Sequence, residues 1–299
     1  MINSIEVILV PTFMIIVGMI LKKMNILEEE NSTALSKIVL NVSLPALIFS
    51  NISTRSINQQ MISVSLISFA LSFICVLIAY FYSKIRNYSK EKTWTIIILL
   101  SMMNTAFIGY PIVLGVFGNE GFLYAIFYDL PIAILFVIYG VVLSTIFGGN
   151  KKEVIRNGLT FVPLWAIVFG VIFNIFNIPL GYVLETSLDY LGASAIPLIM
   201  LSLGLTITFR DVKSYLSDTL FISFSRLLVA PLILYVLLHQ LSLRGLLLQV
   251  SVLQSAMPTA MNSLVLAINY DLDVELVSSV VFLTTVLSII TLPIIITIL

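Results

Sequence analysis

Two polar stretches interrupt apolar runs long enough to cross a membrane, and the chemistry they offer is binding by open main chain. The first is Asn104-Thr105-Ala106-Phe107-Ile108-Gly109-Tyr110-Pro111, within an apolar run from about 94 to 117. The second, Gln254-Ser255-Ala256-Met257-Pro258-Thr259-Ala260-Met261-Asn262, interrupts the run from about 243 to 268 at a similar depth. Pro111 and Pro258 each lack an amide hydrogen and clash with the carbonyl one turn earlier, while Gly109 removes a side chain that would favour helical angles. The helix should break at both places. In hydrocarbon, broken backbone survives only where it is buried in protein or lines a wet cavity. Each half-helix after a break begins with unpaired N–H groups and the positive end of a helix dipole, which suits a carboxylate, and each half before a break ends in free carbonyls, which suit a cation. Asn104, Thr105, Gly109, Pro111, Gln254, Pro258, Thr259 and Asn262 are therefore candidate substrate-binding residues. The plainer alternative for the polar ones is that they only satisfy the opened backbone. Ser43 and Pro45 place a polar residue and a break together in another span, and could line the same cavity.

Two ionisable residues lie deep. Asp129 and Arg226 each fall about ten residues into a span, and at ~1.5 Å per residue that is near the centre of a ~30 Å hydrocarbon core. A charge at that depth costs roughly 2.5 to 3.5 kcal/mol, so each should face protein or water. They could pair with each other, or with backbone carbonyls. Alternatively, Arg226 could serve as fixed positive charge for an anionic substrate and Asp129 could carry a coupling proton. Enzymatic motifs are missing: there is no His-Glu-x-x-His pair, no Gly-x-Ser-x-Gly turn and no Gly-x-x-x-x-Gly-Lys loop. No cofactor is implied. Cys75, the only cysteine, lies in an apolar span, so neither an internal disulfide nor a cysteine metal site is indicated.

The elements that must hold these groups follow from composition. Of 299 residues, 60% are hydrophobic and 10% charged, with a mean hydropathy of +1.12, which predicts an all-α polytopic membrane protein embedded in a lipid bilayer. A net charge of zero argues against a nucleic-acid partner. Ten spans are expected, at about 5–22, 34–53, 59–83, 93–117, 120–147, 158–177, 186–208, 216–239, 243–268 and 274–298. The first lacks a basic amino-terminal region and runs too far to be a signal peptide's core, so it is expected to be retained. Ser202 and Gly204 read as helix packing, and His239 as interfacial.

Basic residues cluster at alternate joints: Lys22, Lys23 and Lys37; Lys84, Arg86, Lys90 and Lys92; Lys151, Lys152 and Arg156; Arg210 and Lys213. Only Arg55 and Arg244 fall on the other side, which predicts that both termini are extracellular. Five spans per half is odd, so the second half must enter from the opposite side, giving inverted repeats over 1–147 and 158–299 with a short cytoplasmic linker at 148–157.

The motif Asn104 to Pro111 resembles the fourth-helix pattern of the auxin efflux carrier family, which includes plant auxin exporters and bacterial malate permeases. Met257-Pro258-Thr259-Ala260-Met261-Asn262-Ser263-Leu264-Val265-Leu266-Ala267, then Tyr270, Asp273-Val274-Glu275-Leu276 and Thr291-Leu292-Pro293, is similar to its closing signature. Leu44-Pro45-Ala46-Leu47-Ile48-Phe49 and Arg226-Leu227-Leu228-Val229-Ala230-Pro231 resemble its second- and eighth-helix patterns. The resemblance covers essentially the whole chain, and the short central joint looks more like prokaryotic members. It implies ten helices in two inverted five-helix repeats, helices four and nine crossing at their breaks, and elevator-like movement of the crossed unit. It also implies transport of a small organic anion, auxin- or malate-like, across the plasma membrane. A proton or sodium is the candidate coupling ion, and a homodimer a candidate assembly. The rival reading is a sodium-coupled bile-acid-type carrier, or a sodium/proton antiporter, with the same crossed-helix architecture.

Overall fold

The structure, a computed structural model, describes residues 4–206 and 215–299. Arg210 and Lys213, counted above for orientation, lie outside them. The described chain is helical throughout. In order come α1 (Ser4–Lys23), α2 (Glu29–Ile38), α3 (Leu44–Thr54), α4 (Gln59–Ile85), α5 (Lys90–Ser101), α6 (Tyr110–Phe147), α7 (Lys151–Leu159) and α8 (Val162–Ile175). Then follow α9 (Gly181–Ala193), α10 (Ala195–Thr206), α11 (Leu216–Phe224), α12 (Ala230–Gln240), α13 (Leu246–Ser255), α14 (Asn262–Asn269) and α15 (Val274–Ile298). Polar caps start several of them, with Asn58, Ser89, Asn150 and Asp273 each accepting from backbone amides of the first turn.

Among the described residues six helical stretches are long and apolar enough to cross a membrane, and a seventh if α7 and α8, bent by 45°, are taken as one. This is a polytopic helical membrane protein. One of the six runs from Thr105 to Phe147, twice the length a bilayer needs, but at Gly118 the backbone turns to φ 63°, ψ −163° and the helix changes direction. Left-handed angles of this kind suit glycine, which explains why the sequence predicts a joint there. The expected linker is partly helical, since α7 occupies most of it after Gly148, Gly149 and Asn150.

Wide turns recur before prolines. Five-residue π turns occupy Val39–Ser43, Thr105–Gly109 and Ser225–Val229, and each ends two residues before a proline: Pro45, Pro111 and Pro231. A proline removes one i→i−4 bond and its ring presses on the carbonyl one turn back, and widening that turn relieves the clash. The π turns place Ser43, Thr105 and Arg226 inside or at the edge of the distorted backbone.

Close approach depends on small residues. A Cβ at Gly18 in α1 would stand 2.5 Å from the carbonyl oxygen of Leu201, and one at Gly204 in α10 would stand 2.8 Å from the Cα of Gly18. Ser202 beside them exchanges a 2.9 Å hydrogen bond with Ser36 and donates to the Ser32 carbonyl at 3.1 Å. In hydrocarbon, helices associate through such packing and polar contacts rather than through exclusion of water. At the centre lie α5 and α13: Thr95 to Thr105 and Val250 to Ala260 are buried without exception. A helix apolar on every side belongs inside the bundle, and these are the two interrupted spans.

A branched side chain at Gly204 meets α1 backbone that cannot move aside. Gly204→Val should lower stability by about 1–3 kcal/mol or more, read as a fall in Tm of the detergent-solubilised protein, whereas Gly181→Ala, in open space, should lower it less through its positive φ alone.

Candidate functional site

The breaks meet. After Ser101 the chain extends through Met102 to Asn104, and after Ser255 it extends through Met257 to Ala260; the segments pair as a short antiparallel bridge at Met103 and Thr259. The amide of Asn104 donates to the Pro258 carbonyl at 2.8 Å, and the amide of Ala260 donates to the Met102 carbonyl at 3.0 Å. Proline cannot donate to such a ladder, yet Pro258 needs only to accept here. Each interruption thus supplies backbone partners to the other.

The carbonyls released at the helix ends can be followed one by one. At the end of α5, Ile98 accepts from the amide of Met102 at 3.0 Å, and Leu99 accepts from the Thr259 hydroxyl at 3.0 Å. Leu100 accepts from Arg226 Nη1, also at 3.0 Å. At the end of α13, Gln254 accepts from the amide of Met257 at 3.2 Å, Ser255 accepts from Arg226 Nη2, and Met257 accepts from Arg226 Nε at 3.1 Å. Arg226 has no exposed surface, and its Nη1 also lies 3.7 Å from the Cys75 sulfur. One guanidinium therefore binds carbonyls from both interruptions.

Asp129 does not pair with Arg226. Its two carboxylate oxygens accept separately from the hydroxyls of Thr105 and of Tyr110, the latter at 3.0 Å. Among the described residues the salt bridges are Lys22–Glu29 and Lys92–Asp218 instead. Of the two roles considered for Arg226 and Asp129, carbonyl binding is where the structure places Arg226, away from any surface that a solute could reach.

Beside the breaks is a cavity of about 470 Å³. Asn104, Asp129 and Asn262 lie on its wall, and so do Ala106, Phe107 and Met261, at the starts of the helices that follow the breaks. Ile108 and Gly109 both donate to the Asn104 carbonyl, so the amides of Thr105, Ala106 and Phe107 precede the first helical bond of their segment. Among the described residues the wall carries no Lys, Arg or His, and most of it is apolar, from Leu44 and Ile48 in α3 to Leu164 and Ile167 in α8. Asn104 is 4% exposed and its Nδ2 has no hydrogen-bond partner. A buried amide left without an acceptor costs about 1–3 kcal/mol, which a bound anion would recover.

The remaining candidates stand behind the wall. Thr105, Gly109, Pro111, Pro258 and Thr259 are buried; the first break opens at 102–104, ahead of the one expected at Gly109 and Pro111, where a π turn keeps the backbone helical into α6. Gln254 donates from Nε2 to the Thr105 carbonyl at 3.3 Å, and its Cδ would be 2.9 Å from a Cβ placed on Gly109, so the two spans touch where glycine leaves room. Ser43 bonds the Ser194 hydroxyl at 2.7 Å, and neither it nor Pro45 reaches the cavity, where Leu44 stands instead. A π turn rotates the serine toward α9 and away from the breaks.

Some residues were not legible. Tyr110 lies inside a quoted motif, yet only the fold brings its hydroxyl to Asp129, nineteen positions on. Asp218 lies near the start of a span; it pairs with Lys92 at 2.7 Å and accepts from the hydroxyls of Tyr82 and Tyr88 at 2.7 and 2.6 Å, joining α4, α5 and α11. Its third place in α11 was the available signal, since an acid there suits the positive end of a helix.

Known proteins share this chain's pattern. A family profile described as "Membrane transport protein" matches residues 4–158 and 147–296. An uncharacterized transporter of Methanothermobacter thermautotrophicus is 39% identical over 293 residues, covering 97% of each chain. A protein of Rhizobium meliloti named for malonate transport is 29% identical over 157 residues, 48% of each chain. Auxin efflux carrier component 1 of Arabidopsis thaliana is 26% identical over 132 residues, 44% of this chain and 21% of that protein. Full-length similarity to a transporter, a matching profile at both ends and two joined interruptions in one membrane bundle lead to one assignment: the chain belongs to the membrane transport protein family, that of the auxin efflux carriers, and is a membrane transporter and not an enzyme.

Proposed function

We propose that this protein is a secondary carrier of a small organic anion, a mono- or dicarboxylate, moving it across the cell membrane by alternating access. The observation that carries this reading is the polarity of the breaks: helix starts and the unpartnered Asn104 amide lie at the cavity, while helix ends are turned inward onto Arg226. Positive dipole ends and amide donors suit a carboxylate. The relatives named for malonate transport and auxin efflux support the same class.

The ten-span reading completes the transporter. Ten spans would comprise the six continuous stretches, with Thr105–Phe147 divided at Gly118 and its first part joined to α5, together with α1, the bent pair α7 and α8, and the interrupted pair α13 and α14; two inverted repeats, 1–147 and 158–299 with the linker 148–157, would cross at the breaks. The cavity lies between a group that includes α3 and α8 and one that includes α6 and the breaks, a location suited to elevator-like sliding of the second group past the first. Val154, Asn157 and Gly158 of α7 also line it, so with the basic joints cytoplasmic the cavity faces inward and both termini are extracellular. A mostly apolar wall, with Asn104, Asn157, Asn262 and Asn269 as its side-chain amides and no cationic side chain among the described residues, favours a single carboxylate on an apolar body over a compact dicarboxylate.

Counterflow in proteoliposomes, with a panel of mono- and dicarboxylates, tests the reading. Saturable exchange is expected, best for monocarboxylates with an apolar body; failure of every organic anion to exchange would end the proposal. Asn104→Ala should weaken apparent affinity about tenfold or more, as the loss of one hydrogen bond to a charged group costs ~1.5–3 kcal/mol. Asp129 is the proposed carrier of a coupling proton, so Asp129→Asn should remove the pH dependence of exchange, and full retention of that dependence would refute the assignment.

A further inference from the structure

Carbonyl oxygens at the ends of broken helices are the usual seat of a coupling cation in carriers of this architecture. In this protein those oxygens already hold a cation. Nε, Nη1 and Nη2 of Arg226 are directed at the carbonyls of Met257, Leu100 and Ser255, which come from both interruptions. The Thr259 hydroxyl takes the neighbouring Leu99 carbonyl, and the amide of Met257 takes that of Gln254. The side chain is wholly buried, sits on the π turn Ser225–Val229, and has no carboxylate partner among the described residues. Its charge is balanced by the negative ends of two helix dipoles and by carbonyl oxygens alone.

We infer that the Arg226 guanidinium is a built-in cation that replaces an exchangeable one at the meeting of the two breaks, so that the carrier is assembled and works without sodium. An arginine is charged at every accessible pH, and its planar fork addresses three carbonyls at fixed angles. A sodium ion at the same oxygens would have to displace it. The ammonium of a lysine, a compact point charge, could not reach acceptors on both breaks with the same geometry. Arg226 is thus a positioning residue: it does not line the cavity, and it holds the two helix ends together at the meeting of the breaks. This goes beyond the carboxylate reading and needs no substrate for its first test.

The experiment compares the purified carrier in matched sodium, potassium and choline chloride. Wild type should show the same Tm in all three salts, and its proteoliposome counterflow should be the same with sodium as with choline. Arg226→Ala should lose several degrees in Tm, as expected for two helix ends left uncompensated. Added guanidinium, at concentrations that leave wild type unshifted, should restore part of that loss in the variant, whereas choline should not. A sodium-specific rise in the Tm of wild type would overturn the inference, as would sodium-dependent counterflow. An Arg226→Ala protein with unchanged Tm would do the same. The wild-type thermal arm needs neither a variant nor a known substrate, so it decides even if the variant does not fold or if no carboxylate is transported.

Discussion

A peptide group in hydrocarbon has no water to fall back on, and the arrangement of this protein follows from that constraint. The main chain opens twice deep inside the bundle, at 102–104 and around Pro258, and the carbonyls of Ile98, Leu99, Leu100, Gln254, Ser255 and Met257 have each found a donor: a backbone amide, the hydroxyl of Thr259 or the guanidinium of Arg226. Neither interruption could be tolerated alone. The bridge of Met103 and Thr259 makes each the condition for the other, and explains why both lie in the most deeply buried part of the bundle.

Satisfying the carbonyls but leaving helix starts at a cavity separates charge within the site. The negative ends face inward onto a fixed cation, and the positive ends face a space large enough for a small solute. Asp129 shares that space, held by two hydroxyls and, among the described residues, by no counter-ion. The family to which the chain belongs is one of membrane transporters.

Around this centre the rest of the molecule supplies rigidity. Gly18 and Gly204 bring α1 and α10 into backbone contact, and Ser43 ties α3 to α9 through Ser194. Asp218, with Lys92 and two tyrosines, ties α4 and α5 to α11 on the far side of the breaks. The cavity falls between α3 and α8 on one side and α6 with the breaks on the other.

Much of this was legible in the sequence. Hydropathy located the apolar stretches because a bilayer demands about twenty apolar residues per crossing; Pro258 located the second break, whereas the first opens at 102–104, ahead of Gly109 and Pro111, because a π turn carries the helix past that proline; and depth alone marked Asp129 and Arg226 as needing partners. Which partners they have was not legible. Pairing of Asp129 with Tyr110 and Thr105, the turn of Ser43 toward α9, and the grip of Arg226 on Leu100 and Met257 depend on how helices far apart in the chain rotate against one another. A π turn shifts such a rotation by one residue. The sequence by itself determined that the main chain must open twice and that buried charge must be compensated; only the tertiary structure decided which group compensates which, because hydrogen bonds require specific distances and angles that no pattern along a single chain contains.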